Sequence, residues 1–191
     1  ARKKGFDPEE KIDIPLAKGI SERVEGLVSA AAPQILHSGV AQRIQKLEKD
    51  YGVLDWRVCL KIEEEVAKQK FCRFKDEKEA MEVGIRTGLA YITLGVIAAP
   101  LEGFIELKIK TTAKNKKYLS CFFSGPIRAA GVTAAALTVV IADYIRTKMC
   151  YEKYDPQELE IKRAQTEVQD YHDRITNLQY LPSEEEIAFL A

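Results

Sequence analysis

Histidine occurs twice in this chain, tryptophan once, and aromatics make up 8% of its 191 residues. His37 and His172 are too few and too scattered to complete a zinc site of the usual spacing. The four cysteines, Cys59, Cys72, Cys121 and Cys150, include no C-x-x-C pair. They read as reduced, partly buried thiols of an intracellular protein, with a cytoplasmic location expected. Long apolar runs are missing as well. The longest uncharged stretches, residues 87–101 and 129–142, fall short of the roughly 20 apolar residues needed to span a bilayer, so both read as buried helices and no membrane is expected. Catalytic constellations are lacking: there is no G-x-S-x-G, no H-E-x-x-H and no clustered aspartate set for two-metal chemistry. Glu63-Glu64-Glu65 and Glu184-Glu185-Glu186 occupy helical positions that cannot face one point, and they read as solvated faces or first-turn dipole partners. The opening Ala1-Arg2-Lys3-Lys4-Gly5 has no Met and no apolar signal core, and it reads as the interior of a longer chain.

What remains is a globular composition, 46% apolar and 30% charged. Up to Pro100 the periodicity is helical. A loosely ordered first stretch contains short pieces such as residues 21–29. Val40, Ile44 and Leu47 share one helical face, and Asp55 caps a helix running to about Lys70. Asp76-x-x-Glu79 is a capping-box pattern that opens a helix with Met81, Ile85, Leu89 and Ile92 on one stripe, ended by Pro100. Gly84, Gly88 and Gly95 each cost that helix about 1 kcal/mol against Ala. Such repeated cost implies another element packed close to the backbone.

After Pro100 the period falls to two. Ile105, Leu107 and Ile109 alternate with Glu106, Lys108 and Lys110, as in a strand with one buried face. Residues 113–116 form the turn and 118–123 the returning strand. An Ala-rich helix follows over about 128–150. Asp155-Pro156-Gln157-Glu158 is a helix start with cap, N1 proline and N3 glutamate, and Leu159, Ala164, Val168, Tyr171, Ile175 and Leu178 form that helix's apolar side. Ser183-x-x-Glu186 starts one more. The fold class is α+β with three parts: a helical portion over 1–100, a basic hairpin-plus-helix module over 101–151, and an acidic helical connector over 152–191.

The net charge of zero is a cancellation. Residues 1–103 balance 17 basic against 17 acidic side chains; residues 104–151 hold eight basic against two acidic, giving +6; residues 152–191 hold four against ten, giving −6. Lys108, Lys110, Lys114, Lys116 and Lys117 lie around one hairpin. They form either a phosphate-contact surface or a solvated edge whose lysines block aggregation, and the acidic C-terminal helix would mask them if it folded back. The turn from Ser124 to Thr133 carries Gly125, Arg128 and Gly131 at a helix start. It suits an anion held by backbone N–H groups and a guanidinium, or a tight packing turn. It lacks the Gly-Lys-Ser/Thr ending of a P-loop. A phosphate- or nucleotide-binding enzyme built on it is the least favoured reading.

Gly125-Pro126-Ile127-Arg128-x-x-Gly131-x-Thr133-Ala134, continuing to Ala142-Asp143-Tyr144-x-Arg146, resembles the N-terminal region of the large subunit of archaeal D-family DNA polymerases. Arg86-Thr87-x-Leu89-Ala90, Ala98-Ala99-Pro100-Leu101-Glu102-Gly103 and Leu178-Gln179-Tyr180-x-Pro182-Ser183 are similar to the same family, with weaker similarity upstream through Ile14-Pro15-x-Ala17 and Arg23-Val24-Glu25. Val132 stands where the family usually carries glycine. The resemblance implies a replicative DNA-directed DNA polymerase, a nucleotidyltransferase. It implies a partner small subunit with 3′-to-5′ exonuclease activity, forming a heterodimer, with primer-template DNA as the other partner. Magnesium and zinc are implied for the rest of the subunit, with no cofactor or metal here. This region would be a non-catalytic module for DNA contact and assembly, with a hairpin, Gly-rich turn and helix similar to a KH-type unit. Its DNA contacts would be Lys108, Lys110, Lys114, Lys116, Lys117, Arg128, Gly125 and Gly131. The rival expectation is a scaffold that docks the small subunit or self-associates without touching DNA.

Overall fold

The computed structural model of the chain describes residues 19–93, 103–124 and 132–190. Within them the helices are α1 (Ile20–Ser29), α2 (Val40–Tyr51), α3 (Trp56–Ala67) and α4 (Glu77–Ile92). They are followed by strands β1 (Phe104–Thr111) and β2 (Lys117–Phe123) and by α5 (Val132–Lys148), α6 (Glu158–Arg174) and α7 (Glu184–Leu190). A 3-10 turn, Pro33–Ile35, joins α1 to α2. The α+β expectation holds: helices dominate, and the two strands pair antiparallel in one small sheet.

Local signals set most boundaries. Asp55 accepts the Arg57 N–H at 2.8 Å and caps α3. Asp76 accepts the Glu79 N–H at 2.8 Å, but the Glu79 carboxylate returns to the Lys75 N–H at 2.6 Å, one residue upstream of the expected box. Ser183 and Glu186 complete theirs, with Glu186 N–H to Ser183 Oγ at 3.2 Å and Ser183 N–H to Glu186 Oε2 at 2.8 Å. At α6 the expected cap is corrected. The helix starts two residues later, Gln157 is the cap, and Glu160 accepts the Gln157 N–H at 2.7 Å. Asp155 is taken instead by Lys114 of the hairpin.

The core begins between α3 and α4. Met81, Ile85 and Leu89 are buried against Val58, Ile62 and Val66. The expected close approach at the α4 glycines is present. A Cβ on Gly84 would stand 2.7 Å from the Glu63 carbonyl oxygen, and one on Gly88 would stand 2.4 Å from Glu63 Oε2. The glycines therefore offset their propensity cost by letting two helix backbones meet. Gly95 and Pro100 lie outside the described residues. The same core extends into the rest of the chain through Phe104 and Leu107 of β1 and through Ile141, Ala142 and Ile145 of α5.

The glutamate triplet in α3 is not a solvated face. Glu63 is wholly buried, whereas Glu65 takes a two-pronged hydrogen bond from Arg43, Nε and Nη2 both at 2.7 Å. Glu64 accepts from Tyr144 Oη at 3.0 Å and from Lys68 at 2.6 Å, tying α5 to α3. Successive helical residues point about 100° apart, so the three carboxylates meet three environments. The α6 stripe is corrected too: no residue of α6 or α7 is buried, and Leu159, Tyr171 and Ile175 face solvent. Those two helices pack chiefly on each other.

Candidate nucleic-acid interface

Hairpin pairing sets which side chains share a face. Glu106 stands opposite Phe122, Lys108 opposite Ser120, and Lys110 opposite Tyr118. On the other face Leu107 pairs with Cys121 and Ile109 with Leu119; Leu107 is in the core with Leu119 and Cys121 packed against it, whereas Ile109 stays 37% exposed, so the expected buried face of β1 holds only at Leu107. One expectation fails at the start of β1. An irregularity between Phe104 and Glu106 turns Phe104 into the core, while Ile105 is 51% exposed. The alternation that placed Ile105 inside assumed an unbroken pleat.

Helix α4 anchors this ribbon through side chains at four-residue spacing. Lys78 bridges Glu82 at 3.3 Å and Glu106 at 3.4 Å. Glu82 accepts the Leu107 N–H at 2.7 Å. Arg86 donates to the Ile105 carbonyl at 2.8 Å and lies 5.0 Å from the centre of the Phe104 ring. Sequence reasoning missed this polar rail, although the i, i+4, i+8 spacing of Lys78, Glu82 and Arg86 was there to be read.

The five hairpin lysines fall into two sets. Lys108 and Lys110 project from the outward face, with their ammonium groups 4.5 and 5.0 Å from the Phe122 ring centre. Lys108 also meets Glu106 at 3.0 Å, which holds that carboxyl below the usual carboxylate range. At the tip Asn115 adopts φ +61°, and Thr112 closes the turn with a 2.8 Å bond to the Lys116 carbonyl. There the acidic linker ahead of α6, and not the acidic helix itself, folds back. Lys114 pairs with Asp155, Lys116 lies 3.5 Å from Glu152, and the Glu152 N–H donates to the Lys117 carbonyl at 2.9 Å. The hydrogen bond from Lys114 keeps the Asp155 carboxyl charged to lower pH than usual. Tyr154 stacks on Tyr118 at 4.8 Å between ring centres. Lys110 and Lys117 make no ion pair among the described residues. Arg128, Gly125 and Gly131 lie outside the described residues, and with them the anion-nest expectation.

Nothing in the described residues forms a second site of comparable chemistry. No group of three or more His, Cys, Asp or Glu side chains there could hold a metal ion. No helix there is long and apolar enough to cross a membrane. Burial pushes the Cys121 thiol up to about 11, which suppresses its thiolate.

A family model described as the N-terminal part of the DNA polymerase II large subunit DP2 matches residues 1–191. The DNA polymerase II large subunit of Nanoarchaeum equitans is 46% identical over 190 residues, covering 100% of this chain and 15% of that protein. The subunit of Methanothermobacter thermautotrophicus is 44% identical over 193 residues, covering 100% of this chain and 17% of that protein. That of Pyrococcus furiosus is 41% identical over 189 residues, covering 98% and 14%. The chain thus spans less than a fifth of the length of these relatives. With the model matched end to end and identities of this size, the chain belongs to the family of archaeal D-family DNA polymerase II large subunits, in their N-terminal region.

Proposed function

We propose that this region is a non-catalytic module of a replicative DNA polymerase that contacts DNA through the outward face of its hairpin. The carrying observation is the placement of Lys108 and Lys110 on one ribbon surface, outside the core and in no ion pair with the acidic strap among the described residues. Lysines on a projecting ribbon bind phosphates without regard to sequence, and each contact releases counterions. Polymerisation, its magnesium and zinc, and the exonuclease of a small subunit belong to parts of the enzyme beyond this region.

The test is DNA binding by the full-length large subunit at 50 and 200 mM salt, with Lys108 and Lys110 reversed to Glu. Two lost phosphate contacts lower the salt slope by about 1.8 on duplex DNA, so the wild type's advantage shrinks by roughly twelvefold across that range. An unaltered slope would overturn the reading.

A second role, assembly, is supported by α6 and α7. Their Leu159, Ile175, Phe189 and Leu190 are exposed on an acidic helix pair that covers no core. Pull-down of the small subunit by the wild-type chain, lost on Leu159→Glu with Ile175→Glu, would support docking there. Undiminished capture would place the contact elsewhere.

A further inference from the structure

The outward hairpin face carries more than charge. Along β2 it presents Tyr118, Ser120 and Phe122, and beside them on β1 stand Lys110, Lys108 and Glu106. Phe122 is the anomaly. Its chain neighbours Cys121 and Phe123 pack against the core, whereas Phe122 does not contribute to it. Its ring is covered by two ammonium groups rather than by apolar side chains. The ring is half-buried, and lysine side chains rather than the core shelter it.

We propose that Phe122 is a stacking platform for an unpaired base of single-stranded DNA, with Lys108 and Lys110 taking the adjoining phosphates. Tyr118, on the same side of the strand and about 13 Å away, is already taken by Tyr154, so Phe122 is the ring left to a base, and the short Ser120 side chain beside it leaves room for a flat one. Lys108 and Lys110 hover over Phe122 by cation–π attraction, and a phosphate offers each a stronger partner. The Glu106–Lys108 pair is half-exposed and so gives way readily. A duplex cannot use this surface, because its base faces are already stacked on one another. An aromatic ring flanked by cations on a half-exposed strand matches the physical requirements for single-strand binding without sequence preference. The inference rests on the hairpin's proposed DNA contact and names the form of DNA that the contact reads.

The experiment uses the full-length large subunit and a single strand carrying 5-iododeoxyuridine, irradiated and analysed by peptide mass spectrometry. The expected result is a base adduct on Phe122, absent when the same strand is annealed into a blunt duplex. In parallel, Phe122→Ala and Phe122→Leu should each weaken single-strand binding by roughly tenfold, the lower part of the range for one stacked base. Duplex binding should be unchanged. Because Phe122 lies outside the core, neither variant threatens folding. Adducts confined to other segments, equal adducts from duplex, or full binding by Phe122→Leu would overturn the platform. Failure of the underlying reading looks different: reversal of Lys108 and Lys110 would then leave both DNA forms bound as before. Loss with the lysine variant but none with the Phe122 variants would sink the platform alone.

Discussion

Glu63 offers the sharpest test of the fold's energetics. It sits on α3 where α4 comes closest, with no side-chain exposure, and neither carboxyl oxygen has a hydrogen-bond partner among the described residues. Burial, reinforced by the negative charge of Glu64, pushes its pKa up to about 10, against an ordinary value of 4.5. The folded chain therefore carries the proton at neutral pH while the unfolded chain does not. For such a raised acid the sign is unambiguous. The folded state binds one more proton between about pH 4.5 and 10, so stability falls as pH rises through that window by about 1.4 kcal/mol per unit. From pH 5 to 9 this amounts to about 5 kcal/mol as an upper bound, since relaxation and water entry reduce it. Glu63→Met keeps the length of the side chain, removes the titration and leaves no unpaired polar atom. Its stability relative to wild type, measured by denaturant titration at pH 5, 7 and 9, should climb by several kcal/mol across the series. In melting temperature this is about 2–4 °C per kcal/mol for a chain of this size. Other carboxylates, such as Glu65 with Arg43, are common to both proteins and cancel in the difference. Glu63→Gln should gain less, because a buried unpaired amide itself costs about 1–3 kcal/mol. Parallel pH profiles for wild type and Glu63→Met would refute the buried neutral acid.

Two further outcomes follow from the same geometry. Gly84→Ala should destabilise the chain by about 1–3 kcal/mol despite the better helix propensity of alanine, because the new Cβ meets the backbone oxygen of Glu63 at 2.7 Å and the helices must part; thermal melting reads this directly, and a rise in melting temperature would contradict it. Glu152→Gln combined with Asp155→Asn frees Lys114 and Lys116, so DNA affinity at 100 mM salt should rise several-fold and the salt slope should steepen by up to about 1.8 on duplex. Unchanged affinity would show that the acidic strap does not compete with phosphate.

The hairpin and the helix faces were legible because their signals are local and periodic. Met81, Ile85 and Leu89 repeat every four residues and lie buried; Asp55 and Ser183 cap the helices they precede. The glycines of α4 were legible through their cost, which only a close neighbour could offset. What sequence could not supply were choices between partners. Asp155 has every local feature of a cap, but a lysine 41 residues away competes for it, and Gln157 serves instead. Three consecutive glutamates look alike in sequence, and only the approach of α4 tells which one loses its water. Ile105 carries a correct strand alternation that a single irregularity next to Phe104 inverts. In the candidate interface, the lysines were found by counting. Phe122 was not, because an aromatic in an apolar strand reads as core until register shows which way it faces.

Register also resolves the zero net charge into separate surfaces. The acidic excess of the C-terminal segment is not spread evenly against the basic module. Its first residues, Glu152 and Asp155, neutralise only the tip lysines, and the backbone bond from Glu152 to Lys117 fixes that strap beside β2. Lys108 and Lys110 stand on β1, one strand further across, and make no ion pair with it among the described residues. A polyanion approaching the hairpin thus meets an open face first and a masked tip second. Exposed pairs of the tip kind are worth about 0–1 kcal/mol each, so phosphates already held by the open face can displace them at little cost. DNA engagement should therefore proceed from the ribbon's face towards its tip, and the strap would set how far along the ribbon a strand is held at a given salt concentration.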